Sequence, residues 1–217
     1  MYIFHKIVAF FERYVILYIL LTLGAVRMYK QCRTEQSSQR QRQLEQGLLE
    51  AMYHKHYEEI SVSDLCDQMQ IPRKSFYRYF SSKDGALHAL LDHTLLDSDN
   101  FVMTETGVEK QNALVFMERI FAYWKHCKPL MDALERSNLS GVLIQRAIEH
   151  SQREMGLPRF LSSDEHDARK YGSLFAICGL MTMIVQWHHE GFTQSVEQMA
   201  RIAMRLLSEP LFPDMEE

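Results

Sequence analysis

Residues 70–85, "QIPRKSFYRYFSSKDG", set four cations (Arg73, Lys74, Arg78, Lys83) and four aromatics (Phe76, Tyr77, Tyr79, Phe80) ahead of a single acid, Asp84. On a helix, Phe76 and Phe80 stand four residues apart and share a face, which is expected in the core. Arg73, Lys74, Ser75, Tyr77 and Arg78 then lie on or beside the opposite face. Guanidinium forks, an ammonium, a hydroxyl and a phenol on one surface can reach base edges and phosphates of a DNA major groove. Lys83, at the start of the next helix, adds its charge to exposed backbone N–H groups and makes an anion site suited to a phosphate. The plainer reading is a solvated basic face, and the elements around the stretch decide between the two.

Those elements are helical. The chain has 217 residues, is 47% hydrophobic and 24% charged, and has five prolines and nine glycines with few alternating β-branched runs, so an all-α fold is expected. No internal repeat is visible. A first helix is expected from about Ser38 to His54, with Leu44, Leu48, Ala51 and Met52 on one side and Arg40, Gln43 and Glu50 on the other. A second opens at Ser61, whose hydroxyl caps the helix while Asp64 answers it, and closes near Gln68. After a turn of about three residues, Pro72 suits the first turn of a third helix, where its missing N–H costs nothing. A fourth is expected from about Ser82 to Leu96. Two short helices joined by a tight turn, the second rich in cations and hydroxyls, form a helix-turn-helix.

At these residues the sequence resembles the tetracycline-repressor (TetR) family, whose signature stands here as Ser61-Val62-Ser63-Asp64-Leu65, Ile71, Phe76-Tyr77-Arg78-Tyr79-Phe80 and Lys83. The likeness covers about residues 40 to 95, and a spaced set of this length is far more specific than a lone basic run. It departs at Gln70 and at His56, where the family often has glycine, which puts the backbone at those turns in question. The resemblance implies a dimeric, repressor-type regulator that binds double-stranded operator DNA in the cytoplasm, at the nucleoid, and is released by a small molecule. It implies a helix-turn-helix domain over residues 37–95 and a helical ligand-binding and dimerisation domain over 96–217. The candidate DNA contacts are Arg40, Arg42, Ser61, Arg73, Lys74, Ser75, Tyr77, Arg78, Tyr79 and Lys83.

The C-terminal half carries Met, Phe, Tyr and Trp at helical spacing. Most of these are core, but the flexible thioether of methionine suits an adaptable cavity. Phe116, Phe121, Trp124, Met131, Phe175 and Met183 are the candidate ligand lining. In "KYGSLFAICGLMTMIVQWHHEGF", Gly172, Ala176 and Gly179 form a small-residue stripe on a long apolar helix. "SVEQ" then repeats the capping box at Ser195 and Gln198 ahead of an apolar face with Met199, Ala203 and Leu206. In the family two such helices from each subunit form a four-helix interface, of the type common in regulators from Gram-positive bacteria. Gly172, Ala176, Gly179, Met199, Ala203 and Leu206 are the candidate dimer residues; packing within one subunit is the other reading.

Charge is unevenly spread. Residues 1–36 carry five Lys/Arg against two Asp/Glu, residues 37–95 seven against eight, and residues 96–217 twelve against eighteen, so the overall −4 hides a basic start. Within it, residues 14–26, "YVILYILLTLGAV", are a thirteen-residue apolar run, shorter than the ~20 residues a span needs. Extending it to residues 7–26 takes in Glu12 and Arg13, each costing ~2.5–3.5 kcal/mol at mid-bilayer. A start at Met28 is the preferred account, opening the protein on "MYKQCRTEQSSQRQRQ". The arm over residues 27–36 is basic and able to touch DNA beside the first helix; membrane contact through residues 7–26 is the alternative. The weak cleavage-site pattern argues against a signal peptide.

Four scattered cysteines (Cys32, Cys66, Cys127, Cys178) without a C-x-x-C pair suit structural thiols in a reducing compartment. No HExxH, nucleophile elbow or P-loop occurs, so neither catalysis nor a cofactor is expected. His188 and His189, about 100° apart on a helix, cannot share one metal without outside ligands. A metal or redox sensor on the same fold and a ligand-independent architectural DNA-binding protein are the competing functions.

Overall fold

In a computed structural model, which describes residues 28–104, 113–154 and 166–209, the chain folds as expected into helices. Among the described residues there is no strand, only an isolated antiparallel bridge between Tyr29 and Phe80. The helices are α1 (Glu35–His54), α2 (Val62–Gln68), α3 (Arg73–Tyr77), α4 (Lys83–Thr104), α5 (Ala113–His126), α6 (Lys128–Arg136), α7 (Ser140–Glu154), α8 (His166–His189) and α9 (Val196–Ser208). A 3-10 turn, Tyr57–Glu59, joins α1 to α2. The apolar run over residues 14–26 lies outside the described residues, and no described helix is long and apolar enough to cross a membrane.

Two helices run longer than their sequence patterns suggest. α1 starts at Glu35, three residues ahead of the expected Ser38, because the Thr34 hydroxyl accepts the Ser37 N–H at 3.3 Å and caps the helix there. α4 continues past Leu96 to Thr104, so the expected domain boundary at 95/96 falls inside an unbroken helix. The polar run Asp97 to Asn100 reads as a helix end, yet its acids have partners on neighbouring helices. Asp97 takes a two-pronged bond from Arg42 of α1, at 2.6 and 3.0 Å, and Asp99 meets His150 of α7 at 2.6 Å. Val102, 3% exposed, extends the apolar face beyond them.

One apolar cluster joins both halves. Leu44, Leu48 and Met52 of α1 meet Leu65 of α2, Phe76 of α3 and Leu91 of α4, and the cluster continues through Phe121, Trp124, Met131 and Ile184. Trp187 packs edge-on against Phe121 at 5.6 Å and Phe192 at 4.6 Å, and donates its indole N–H to the Gln194 carbonyl, closing the α8–α9 turn. Both expected capping boxes form. The Asp64 N–H reaches the Ser61 hydroxyl at 3.1 Å while the Ser61 N–H reaches the Asp64 carboxylate at 3.0 Å. The Ser195–Gln198 pair does the same at 3.2 and 2.8 Å.

The turn between α2 and α3 answers the question raised by the missing glycines. Gln70 has φ +52°, in the left-handed region, whereas His56 has φ −64°, which any residue adopts. Only the first position is strained. Gln70→Gly is expected to stabilise the protein by about 0.5–1 kcal/mol, the left-handed penalty of an L residue less the backbone freedom that glycine loses on folding. Urea denaturation measures it.

Lys83 closes the same domain from the other side. Its ammonium donates to the Tyr57 carbonyl at 2.5 Å and the Ile60 carbonyl at 2.7 Å, and lies 4.1 Å from the Tyr57 ring centroid. The Tyr57 hydroxyl in turn donates to Asp84 at 2.6 Å. Burial, reinforced by that carboxylate, raises the phenol well above its ordinary range and keeps it a donor. Lys83→Ala is therefore expected to lower stability by about 1–3 kcal/mol, the range for losing hydrogen bonds from a charged donor. In the same urea titration, Lys74→Ala, at an exposed position, is expected to leave stability unchanged.

Candidate nucleic-acid interface

α3 is five residues long and takes its orientation from two rings. Phe76 is fully buried and Phe80 is 1% exposed, with their centroids 5.1 Å apart. Pro72 stands at the cap position with φ −64° and ψ 140°, one residue ahead of the expected first-turn position, and its carbonyl accepts the Ser75 N–H at 2.8 Å. The Phe76 carbonyl accepts from the N–H groups of Tyr79 at 3.0 Å and Phe80 at 3.2 Å, carrying the turn past Tyr77. With Phe76 facing inward, the 100° step per residue sends its neighbours out. Arg73, Lys74 and Arg78 are exposed, Tyr77 is 48% exposed, and Ser75 is half-buried.

Other expected DNA contacts are occupied. Tyr79 is 9% exposed and packs beside Phe80 at 6.3 Å, so it supports the reading surface more than it forms it. Arg42 is engaged by Asp97, tying α1 to α4, and is not a free cation on the polar face of α1. Lys83 is the brace described above; two of its three N–H donors are committed to carbonyls, against the expectation of a dedicated phosphate anchor. Ser61 caps α2 from an exposed position. Arg40 remains on the surface, donating to Gln43 at 3.0 Å. It shares a cleft of about 610 Å³ with Lys30, Thr34, Gln43, Arg78 and Tyr79, so the residues before α1 bring a further cation beside the reading helix. Spacing alone does not reveal this, because Lys30 is placed by backbone pairing of its segment with residues 79–81, which follow α3.

The C-terminal candidates separate into inside and outside. Phe121, Trp124 and Met131 are core, Phe116 and Met183 are half-buried against it, and Phe175 is 64% exposed. The six expected lining residues are therefore divided between core and surface, since large aromatic and thioether side chains at helical spacing serve the packed interior first. Among the candidate dimer residues, Ala176 of α8 is buried within the subunit, as are Met199 and Ala203 of α9, which packs on α5. Gly172 and Gly179 lie on the surface, with open space where a Cβ would stand, and Leu206 is 41% exposed.

The histidine pair ties α8 to α6. His188, 6% exposed, meets Asp132 at 2.7 Å and Glu135 at 3.4 Å, while His189 pairs with Glu135. The hydrogen bond to Glu135 raises the His189 pKa. Burial would raise the Asp132 pKa, but hydrogen bonds from Lys128 and His188 outweigh it and hold the carboxyl below its ordinary value. Among the described residues no group of three or more His, Cys, Asp or Glu side chains could hold a metal. Burial pushes the Cys127 thiol up to about 11 and raises that of Cys66, the opposite of a reactive redox thiolate.

No curated protein matches the chain in sequence. Solved structures match its fold. Lin0861 from Listeria innocua superposes with TM-score 0.61 at 14% identity, covering 84% of this chain and 97% of that one. A TetR transcriptional regulator from Streptococcus agalactiae 2603V gives 0.58 at 14% identity, covering 80% and 96%. The dihydroxyacetone kinase operon activator DhaS gives 0.52 at 14% identity, covering 77% and 93%. In sequence, residues 47–90 match the pattern of the bacterial regulatory proteins of the tetR family, from the middle of α1 through the helix-turn-helix into α4. The buried Phe76, the outward cations of α3 and the capping box of α2 all fall inside that match, so over residues 47–90 the chain carries the DNA-binding domain pattern of the bacterial regulatory proteins of the tetR family.

Proposed function

We propose that the protein is an operator-binding transcriptional repressor that acts as a cytoplasmic homodimer and is released from DNA by a small molecule bound in its C-terminal half. The observation that carries this reading is the outward face of α3. Arg73, Lys74, Tyr77 and Arg78 project from a helix whose other face is anchored by Phe76. A rigid scaffold presenting flexible cationic tips is what major-groove readout requires. The regulatory sign is repression. DhaS, which shares the fold, is named an activator, so a reporter placed downstream of the binding site is the direct measure of sign.

The dimer reading rests on a surface that the subunit leaves uncovered. Tyr171 is 63% and Phe175 64% exposed on α8, and Ile202 is 45% and Leu206 41% exposed on α9. Gly172 and Gly179 lie on α8 without a neighbour at the Cβ position, as close approach of a second backbone would require. Exposed large apolar side chains on each of these helices support an interaction surface here. Two copies also give two reading helices, which must sit about 34–36 Å apart to enter successive major grooves. A ligand that changes that distance lowers operator affinity.

Two measurements test the proposal. Arg73→Ala or Lys74→Ala is expected to cost ~1–3 kcal/mol per half-site on a duplex selected by the wild-type protein and much less on random DNA. Equal losses on both DNAs would reduce α3 to a phosphate clamp. A Cβ at Gly179 would have no atom of its own subunit within 4 Å, so Gly179→Leu is expected to keep the helical content and melting temperature of the fold while shifting the sedimentation coefficient from dimer to monomer. A mutant that stays dimeric would remove α8 from the interface.

A further inference from the structure

We infer that Tyr29 is a positioning residue for the reading helix, and that residues 28–30 form a strap joining the end of α3 to the contact between α4 and α7. The inference rests on α3 being the helix that contacts DNA.

The strap is fastened by its backbone to the residues that follow α3. The Lys30 N–H donates to the Tyr79 carbonyl at 2.8 Å, and the Met28 carbonyl accepts from both the N–H and the hydroxyl of Ser81, each at 2.9 Å. It lies so close to the first turn of α4 that a Cβ on Gly85 would stand 2.2 Å from the Met28 carbonyl oxygen. Any side chain at position 85 would expel it. At its far end the strap is held to α1, where the Cys32 thiol donates to Gln41 at 2.9 Å and the Ser37 hydroxyl to the Cys32 sulfur at 3.2 Å.

Between these fastenings Tyr29 points the other way, into the molecule. Its ring packs edge-on against His93 at 6.0 Å, and its hydroxyl donates to Asp92 at 2.5 Å. Asp92, 8% exposed, is gripped on both carboxylate oxygens by Arg146 of α7, through Nε at 2.8 Å and through Nη2. Arg146 is itself 9% exposed and also holds Glu149. A two-pronged guanidinium–carboxylate pair is directional as well as strong. Burying such a pair adds little net stability compared with apolar side chains of the same size, so its use here points to fixing orientation. A displacement of α7 against α4 turns the Asp92 carboxylate, and with it Tyr29 and the backbone at residues 79–81. α3 ends two residues before that segment.

The test uses the full chain, a duplex of about 30 base pairs that the wild-type protein selects from a random library, and a random duplex of equal length. Tyr29→Phe keeps the ring and removes only the hydroxyl; Arg146→Lys keeps the charge and removes the fork. Each is expected to weaken binding to the selected duplex about tenfold, the effect of one hydrogen bond to a charged acceptor, and to change binding to the random duplex less than twofold. The double variant is expected to lose no more than the weaker-binding single variant, because both changes break the same chain of contacts. An unchanged ratio of selected to random affinity in Tyr29→Phe, with an unchanged melting temperature, would overturn the inference, as would additive losses. Failure of the wild-type chain to select any sequence would instead overturn the DNA-reading assignment, and the strap with it.

Discussion

A helix of five residues cannot hold itself together. Nucleating a helical turn is unfavourable, and isolated helices shorter than about 12–15 residues are marginal in water. α3 therefore exists because Phe76 is buried, a contribution of about 1.5–3 kcal/mol for a side chain of its size. The same burial decides which residues face outward, since each position is turned 100° from the last. Phe80 extends the anchor beyond the helix end, and the Lys83–Tyr57–Asp84 group fastens the start of α4 to the chain entering α2. The reading surface depends on contacts made behind it, which is why Lys83 is held as a brace in the very stretch whose charge suggests a DNA ligand.

Polar groups in the interior gather along α4, at its contacts with α1 and α7. Glu45, 1% exposed, faces His93 at 2.9 Å; burial raises its carboxyl pKa and the histidine bond only partly offsets this. Gln41, also 1% exposed, gives its carbonyl to Cys32 and has an amide nitrogen without a hydrogen-bond partner. An interior built for stability alone would fill this junction with leucine. Buried polar groups cost desolvation and repay it only through well-formed hydrogen bonds. The directional bonds Glu45–His93 and Arg146–Asp92 hold α4 to α1 on one side and to α7 on the other.

The helix-turn-helix was legible because its signals are local. Ser61 and Asp64 cap within four residues, Phe76 and Phe80 share a face, and glycine's absence at position 70 marks the strained turn that the backbone there shows. The extent of α4 was not legible, since its polar segment is completed by Arg42 and His150, which lie 55 and 51 positions away in sequence. For the same reason Arg42 and Lys83 read as free cations: sequence shows a charge but not its distant partner. Tyr29, Asp92 and Arg146 carried no periodic signal at all. In the C-terminal half, hydrophobic identity marked burial well at Phe121, Trp124 and Met131. It failed at Phe175, because an apolar side chain on a long helix has the same pattern whether it meets its own subunit or another.

That ambiguity has a structural consequence. α8 packs against α7, α6 and α5 within the subunit and leaves Gly172, Phe175 and Gly179 exposed. On the proposed dimer, a second copy presses on that outer side, so α7 is backed by a helix whose own position is set by the partner. α7 carries Arg146, Arg146 holds Asp92 of α4, and α4 begins directly after the residues that end α3. Packed interiors do not deform continuously, so a shift of α8 passes inward as a displacement of whole helices. The spacing of the two reading helices and the orientation of each within its own domain are then set by one chain of contacts. A change at the dimer face alters both together.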